Sequence, residues 1–334
     1  MEVNGARIVV IGGGTGSFAL LSGLKHYTKE LTALVNMVDD GGSTGTLRDE
    51  LGVLPPGDAR QCLVALSHSP KVRDLFNYRF EEGALRGHAF GNLFLTALEK
   101  LTGSFAEAIE TASDVLCVEG RVVPATLDDV RLKMSWPDTQ MVLSGERVID
   151  TEQFAHDPRQ AALSLVPAAR ANPVGLQAIA DADMVVLAPG DLYTSLGPVL
   201  VAKGYQEALA NTKAKIVYVC NLVTKKGQTD GFTISDHAAE IERFAGSPII
   251  DVLLYNQSEP QQKLLAKYAK EGEYWVTADK PTLAAQRYRS IAGNFLSDTL
   301  PPKASKADPL ARQRTLIRHD PIKIAKALMK LYFE

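Results

Sequence analysis

Cysteine is scarce in this 334-residue chain: Cys62, Cys117 and Cys220 stand far apart, and no Cys-x-x-Cys pair exists. That removes the spacing zinc ribbons and dithiol redox sites need. A sparse, odd count suits a reducing compartment. A charge of one sign is lacking too. Lys plus Arg number 36 and Asp plus Glu 39, for a formal net charge of −3, so no global field pulls the chain toward nucleic acid or an anionic membrane. No apolar run approaches the roughly 20 residues of a membrane span. The first such run is cut by Gly12 and has no basic leader pattern around it. Repeats and low-complexity tracts are missing, as are a P-loop lysine and an HExxH helix, and neither a Ser-His-Asp order nor a Gly-x-Ser-x-Gly elbow is expected. The reading is a cytoplasmic protein with no nucleic-acid partner and no membrane-inserted part; a homodimer is the default expectation.

What is present is a strand–turn–helix rhythm on a 46% hydrophobic composition, enough for a sizeable core. Arg7 to Ile11 is a β-branched run of the kind buried parallel strands show, and Phe18 to Tyr27 has helical spacing. A second strand, Leu31 to Val38, ends at Asp39. Helices are predicted over 60–67, 70–80, 90–101 and 104–114. From 121 to 151 the pattern alternates in short steps, which predicts a small antiparallel insertion. The rhythm then returns: helix 173–182, strand 183–190, helix 197–209, strand 214–223, helix 235–244, strand 249–257. Asp320 before Pro321 predicts the cap of a final helix, with a short strand just before it. Asp298 to Pro309 reads as a surface loop. The expected fold is a Rossmann-like α/β domain spanning 1–334, its mostly parallel sheet flanked by helices, with the small β insertion inside it.

Open sheets of this kind bind ligands at the carboxyl ends of their strands, and the polar turns fall there. Gly13, Gly14, Thr15 and Gly16 form a glycine turn at a helix start, a place that suits phosphate because free amides and the helix dipole point at it. Asp39 and Asp40 close the second strand. They could hold ribose hydroxyls or a divalent cation, or one could cap a helix while the other is solvated. Gly41, Gly42, Ser43 and Thr44 make a second anion-friendly turn, and Asp58 is placed to cap the helix that follows it. His88 reads as a ligand contact or a structural hydrogen-bonder, and Asn92 as a cap. Gly190, Thr194 and Ser195 repeat the turn logic after a later strand, while Asn221 and Thr224 are placed to read a base or ribose edge. Several such turns in one domain point to one extended crevice. A nicotinamide dehydrogenase has weak support, because Gly12, Gly14 and Ser17 only partly match its glycine spacing.

The runs GGGTGS, DDGGSTGTLRDELGVLPPGDARQCLVAL, GHAFGNLFLTAL, APGDLYTSLGPVL and IRHD, in this order, resemble the YvcK/CofD-like family over about residues 6–332. The long second run resembles its gluconeogenesis-factor (YvcK-like) branch, bacterial proteins of cell shape and wall building on gluconeogenic carbon that bind UDP-sugars such as UDP-N-acetylglucosamine. The other branch is 2-phospho-L-lactate transferase, a magnesium-dependent enzyme of deazaflavin cofactor synthesis. The resemblance implies a regulator that binds a UDP-sugar without turnover, with the transferase as the alternative. It names no fixed cofactor, metal ligand or catalytic residue, and leaves magnesium open. It implies ligand contacts from Gly13, Gly14, Thr15, Gly16, Asp39, Asp40, Ser43, Asn92, Gly190, Asp191, Thr194, Ser195 and Asn221. Arg318 resembles a UDP-sugar-contacting arginine, and its fork suits a diphosphate; otherwise it is a surface arginine. The chain departs from the branch at KKGQTDGF, where a Pro-Gly-Glu type run is usual. Its two lysines would either contact phosphate or face water.

Overall fold

The structure, a computed structural model, describes residues 5–298 and 316–334. Ten strands are found among them. Seven, β1 (Ile8–Gly12), β2 (Leu31–Val35), β3 (Arg121–Pro124), β7 (Met184–Leu187), β8 (Lys215–Val219), β9 (Val252–Asn256) and β10 (Arg289–Gly293), form one all-parallel sheet. Its order is β10-β9-β8-β7-β1-β2-β3. The chain therefore winds outward from β1 in one direction, returns, and winds outward in the other. The reversal falls between β1 and β7, where doubly wound sheets open a crevice.

Alternation within each strand supplies both faces. In β1, Ile8 and Val10 enter one core while Val9 and Ile11 enter the other, as the two-residue strand period requires. Helices α1 (Gly14–Leu24), α3 (Pro56–Leu66), α5 (Phe90–Thr102), α6 (Phe105–Leu116) and α14 (Pro321–Tyr332) pack on the first face. Between them in sequence lie α2 (Gly42–Leu51), α4 (Pro70–Asn77) and α7 (Glu146–Thr151). Helices α8 (Pro173–Asp181), α9 (Gly197–Leu200), α10 (Tyr205–Asn211) and α11 (Ile234–Ala245) cover the second face, and α12 (Gln262–Glu271) and α13 (Lys280–Ala284) follow before α14.

The antiparallel insertion exists with different limits. Arg121–Pro124 is not part of it: this run is β3, the edge of the main sheet, paired parallel to β2. The small sheet is β4 (Arg131–Trp136) between β5 (Met141–Ser144) and β6 (Ala162–Val166). In β4 the buried residues alternate, Leu132, Met134 and Trp136 facing the core. Its third strand comes from beyond residue 151, because β4 needs a partner on each side and the helix α7 intervenes first. The helix expected over 197–209 is broken: a π-helical turn at Leu192–Leu196 runs into the short α9, and Gly204, with φ +114°, separates it from α10. The short strand expected before the final helix is a single bridge between Leu296 and His319. Asp320 caps α14 as expected, its Oδ1 accepting the amides of Ile322 and Lys323, each at 2.9 Å. The loop expected at 298–309 lies, after Asp298, outside the described residues.

Candidate functional site

The crevice forms where the turns after β1, β2, β7 and β8 meet. The first and third turns touch backbone to backbone: a Cβ on Gly16 would lie 1.6 Å from the Pro189 carbonyl oxygen. Only glycine allows α1 to start that close to the β7 turn. Asn36, just past β2, ties in the same place; its amide nitrogen donates to the Thr194 carbonyl at 3.0 Å, and its Oδ1 is buried without a partner.

Asp58 does not cap its own helix. Helix α3 begins at Pro56 with Pro55 at its N-cap, which puts Asp58 in the first turn. Its carboxylate reaches across instead and accepts the Gly14 amide at 3.0 Å. The glycine turn thus holds an anion supplied by the chain itself. Burial, and then the charge of Asp39, push the Asp58 carboxyl up to about 7, against the pull of the Gly14 amide.

The aspartate pair divides its labour. Asp40 caps a helix, though not the next one: its Oδ1 accepts the Arg147 amide at 2.7 Å and its Oδ2 the Glu146 amide at 3.1 Å, so it holds the start of α7. Asp39 turns inward. It accepts the Gly41 amide at 2.9 Å and lies against Gly57, where an added Cβ would sit 2.6 Å from its Oδ2. Burial raises its carboxyl, with the Gly41 amide opposing. Two carboxyls from α7 join this group. Glu146 is pushed up to about 9 by burial and then by Asp39, and Asp150 is raised by burial and then by Asp191. Neither was marked by a sequence motif, because α7 lies where the pattern alternates like strand.

On the far wall, Lys225 is half-buried and its charge is turned to carboxylates. Its ammonium pairs with Asp150 and, at 2.9 Å, with Asp191. Burial works against its charge, but the two aspartates more than restore it and its pKa rises. Lys226 lays its alkyl chain over Gly272. Asn221 braces the β7 and β8 turns: its Nδ2 donates to the Gly190 carbonyl at 2.8 Å and its Oδ1 accepts the Gly190 amide at 3.3 Å. Both ends of this amide are thereby occupied by backbone. Thr194 is buried, with its hydroxyl on Asp150 at 3.4 Å, and the Ser195 amide donates to the Asp191 carbonyl at 2.9 Å. Thr15 is exposed at the rim. Arg318 is half-buried on the β10 side, its carbonyl accepting the Ser297 amide at 2.9 Å.

Ser43, at the second position of α2, meets His88 Nδ1 at 3.0 Å and the Asn92 amide nitrogen at 3.3 Å. Asn92 is buried, with its oxygen on Arg60 Nε at 2.9 Å. Gly41-Gly42-Ser43-Thr44-Gly45 spells Gly-x-Ser-x-Gly, so the spacing expected to be absent is present around a serine already named for the anion-friendly turn. Ser43 is nonetheless helical, not the strained residue of a strand-to-helix elbow, since only Cys117 and Gln140 among described non-glycine residues have positive φ.

Among the described residues no group of three or more His, Cys, Asp or Glu side chains is arranged to hold a metal ion. A groove of about 650 Å³ lies at the opposite, amino end of the sheet, where Arg7 pairs with Asp183 and Lys215 donates to the Leu331 carbonyl. No described helix is long and apolar enough to cross a membrane.

Comparison with known proteins agrees with this architecture. Residues 8–296 match the family model described as 2-phospho-L-lactate transferase CofD. A gluconeogenesis factor from Halalkalibacterium halodurans is 38% identical over 97% of this chain and 96% of its own. One from Bacillus subtilis is 36% identical over 98% of each. The crystal structure of a UPF0052-family protein from Bacillus halodurans superimposes with a TM-score of 0.86 at 37% identity, covering 98% of this chain and 99% of its own. With the doubly wound sheet, the near-complete coverage and the shared name of these relatives, the chain belongs to the CofD family, on its gluconeogenesis-factor (YvcK-like) branch.

Proposed function

We propose that the crevice binds a nucleotide sugar of the UDP-N-acetylglucosamine type, and that the protein serves cell shape and cell-wall metabolism on gluconeogenic carbon sources as a cytoplasmic regulator. The observation that carries this reading is the convergence of three glycine- and hydroxyl-rich turns, at 12–17, 41–44 and 190–195, on the reversal point of a parallel sheet. One such turn receives a single phosphate. Three along one crevice match a ligand with a base, a ribose, a diphosphate and a further group. Arg318, on the β10 side, supplies a guanidinium for the diphosphate. The family model favours a second reading, transfer of a phosphorylated group from a nucleotide-activated donor.

Calorimetric titration with UDP-N-acetylglucosamine, with GDP and NAD as controls and with or without magnesium, tests the proposal. Saturable binding of the UDP-sugar, weakened by Arg318→Ala, is the expected result; at a hundredfold excess over Kd it stabilises the fold by about 2.7 kcal/mol. Binding of GDP alone, dependent on magnesium, would move the assignment to the transferase.

A further inference from the structure

We propose that Ser43 is a nucleophile and His88 its general base, a site for phosphoryl-type electrophiles on the rim of the crevice. The argument starts at Arg60. A guanidinium only donates hydrogen bonds, so the atom of Asn92 facing Arg60 Nε at 2.9 Å is the amide oxygen. This fixes the orientation of an amide that could otherwise be placed either way. The Asn92 NH2 therefore faces Ser43 and donates to its Oγ at 3.3 Å. Oγ keeps its own proton and a second lone pair, so its geometry with His88 Nδ1, at 3.0 Å, suits the imidazole as either acceptor or donor. The dyad takes the acceptor form: Arg60 donates to Asn92, Asn92 to Ser43 and Ser43 to His88, so that the imidazole carries its proton on Nε2, as a general base needs.

The relay is anchored where it must not move and open where chemistry would occur. Arg60 and Asn92 are buried, and Arg60 Nη1 is also held by Asn77 Oδ1 at 2.6 Å. Ser43 and His88 are half-exposed. Oγ sits in the first turn of the ten-residue helix α2, whose leading amides favour a developing negative charge. The next residue, Thr44, lies with Asp39 against Gly57, so the serine borders the inward carboxyls.

The class of substrate rests on the nucleotide reading above: a nucleoside diphosphate ester. In the step, a bond forms between Ser43 Oγ and phosphorus and the bridging P–O bond breaks. The nucleoside monophosphate leaves with the bonding pair, and the Oγ proton passes to His88 Nδ1.

A fluorophosphonate probe tests the dyad without assuming a substrate, since fluoride is then the leaving group. Peptide mass spectrometry on the full chain should find the adduct on Ser43. Labelling should be lost in Ser43→Ala and slowed about a hundredfold or more in His88→Ala. Nitrogen NMR of the wild-type ring should show the neutral imidazole protonated on Nε2. An unlabelled Ser43, an equal rate in a folded His88→Ala, or a proton on Nδ1 would overturn the proposal. UDP-N-acetylglucosamine should slow the labelling. If it does not while Ser43 still labels, the nucleotide reading fails at this site and the dyad stands.

Discussion

The Asp58 carboxylate and the Gly14 amide, 44 residues apart in the chain, meet at 3.0 Å. The anion-favouring start of α1 is thus filled by a carboxyl from α3, and a Cβ on Gly13 would lie 2.1 Å from that carboxyl's second oxygen. A phosphate entering this turn must displace Asp58 or find it protonated.

Stability should fall as pH rises above neutrality. Asp58 is raised to about 7 and Glu146 to about 9, both mainly by burial. Each therefore binds its proton more tightly in the folded state than in the unfolded chain. Their stabilising contribution is full below the ordinary carboxylate range and is lost as pH climbs through 7 and then 9. Carboxyls held low by cations, such as Asp157 and Asp183, act only in acid and do not offset this. Urea midpoints should be higher at pH 7 than at pH 9, a window above the one in which the buried neutral His237 and His319, both held low by burial, add stability as pH rises. Asp58→Asn should gain on the order of 1–3 kcal/mol relative to wild type at pH 8, and a midpoint that rises from pH 7 to 9 would contradict the burial argument.

Two glycines of one turn should respond differently to alanine. Gly16→Ala drives a Cβ into the Pro189 carbonyl oxygen, backbone that cannot swing away. A loss of about 3 kcal/mol or more is expected. Gly14→Ala meets no atom within 4 Å, but φ there is +61°, so the cost is about 1–2 kcal/mol of left-handed strain. Chemical denaturation of the two variants measures the difference; equal losses would mean the close approach is not as described.

Asp40→Ala should loosen α7 locally. The carboxylate holds the amides of Glu146 and Arg147 and pairs with Arg131 at 3.4 Å. Loss of a cap costs about 0.5–2 kcal/mol. Amide exchange should speed up over 146–154 and stay unchanged in β1 and β7, and uniform acceleration would show a global effect instead.

The local elements were legible in the chain because their causes are local. Apolar runs ended by polar or turn residues announce β1, β7 and β9, and Asp320-Pro321 announces the last helix. The glycine and hydroxyl turns marked the carboxyl ends of strands for the same reason. The family, too, was carried by contiguous runs such as DDGGSTGTLRDELGVLPPGD. β3 was not so legible: its run reads as the start of the alternating insertion, and only its parallel pairing with β2 puts it in the main sheet.

What each polar side chain does was decided by tertiary structure. Nothing local distinguishes Asp39 from Asp40, yet one turns into the crevice and the other caps a helix 106 residues away. Asp58 reads as a cap of its own helix and serves another; Asn221 reads as a base or ribose contact and braces Gly190; Lys225 reads as a phosphate contact or as solvent-facing and lies between two aspartates. The physical reason is the same in each case. A hydrogen bond or ion pair goes to whichever partner the packed chain brings within about 3 Å. That is set by helices and strands far apart in sequence, so a residue's type announces its chemistry and only the fold selects its partner.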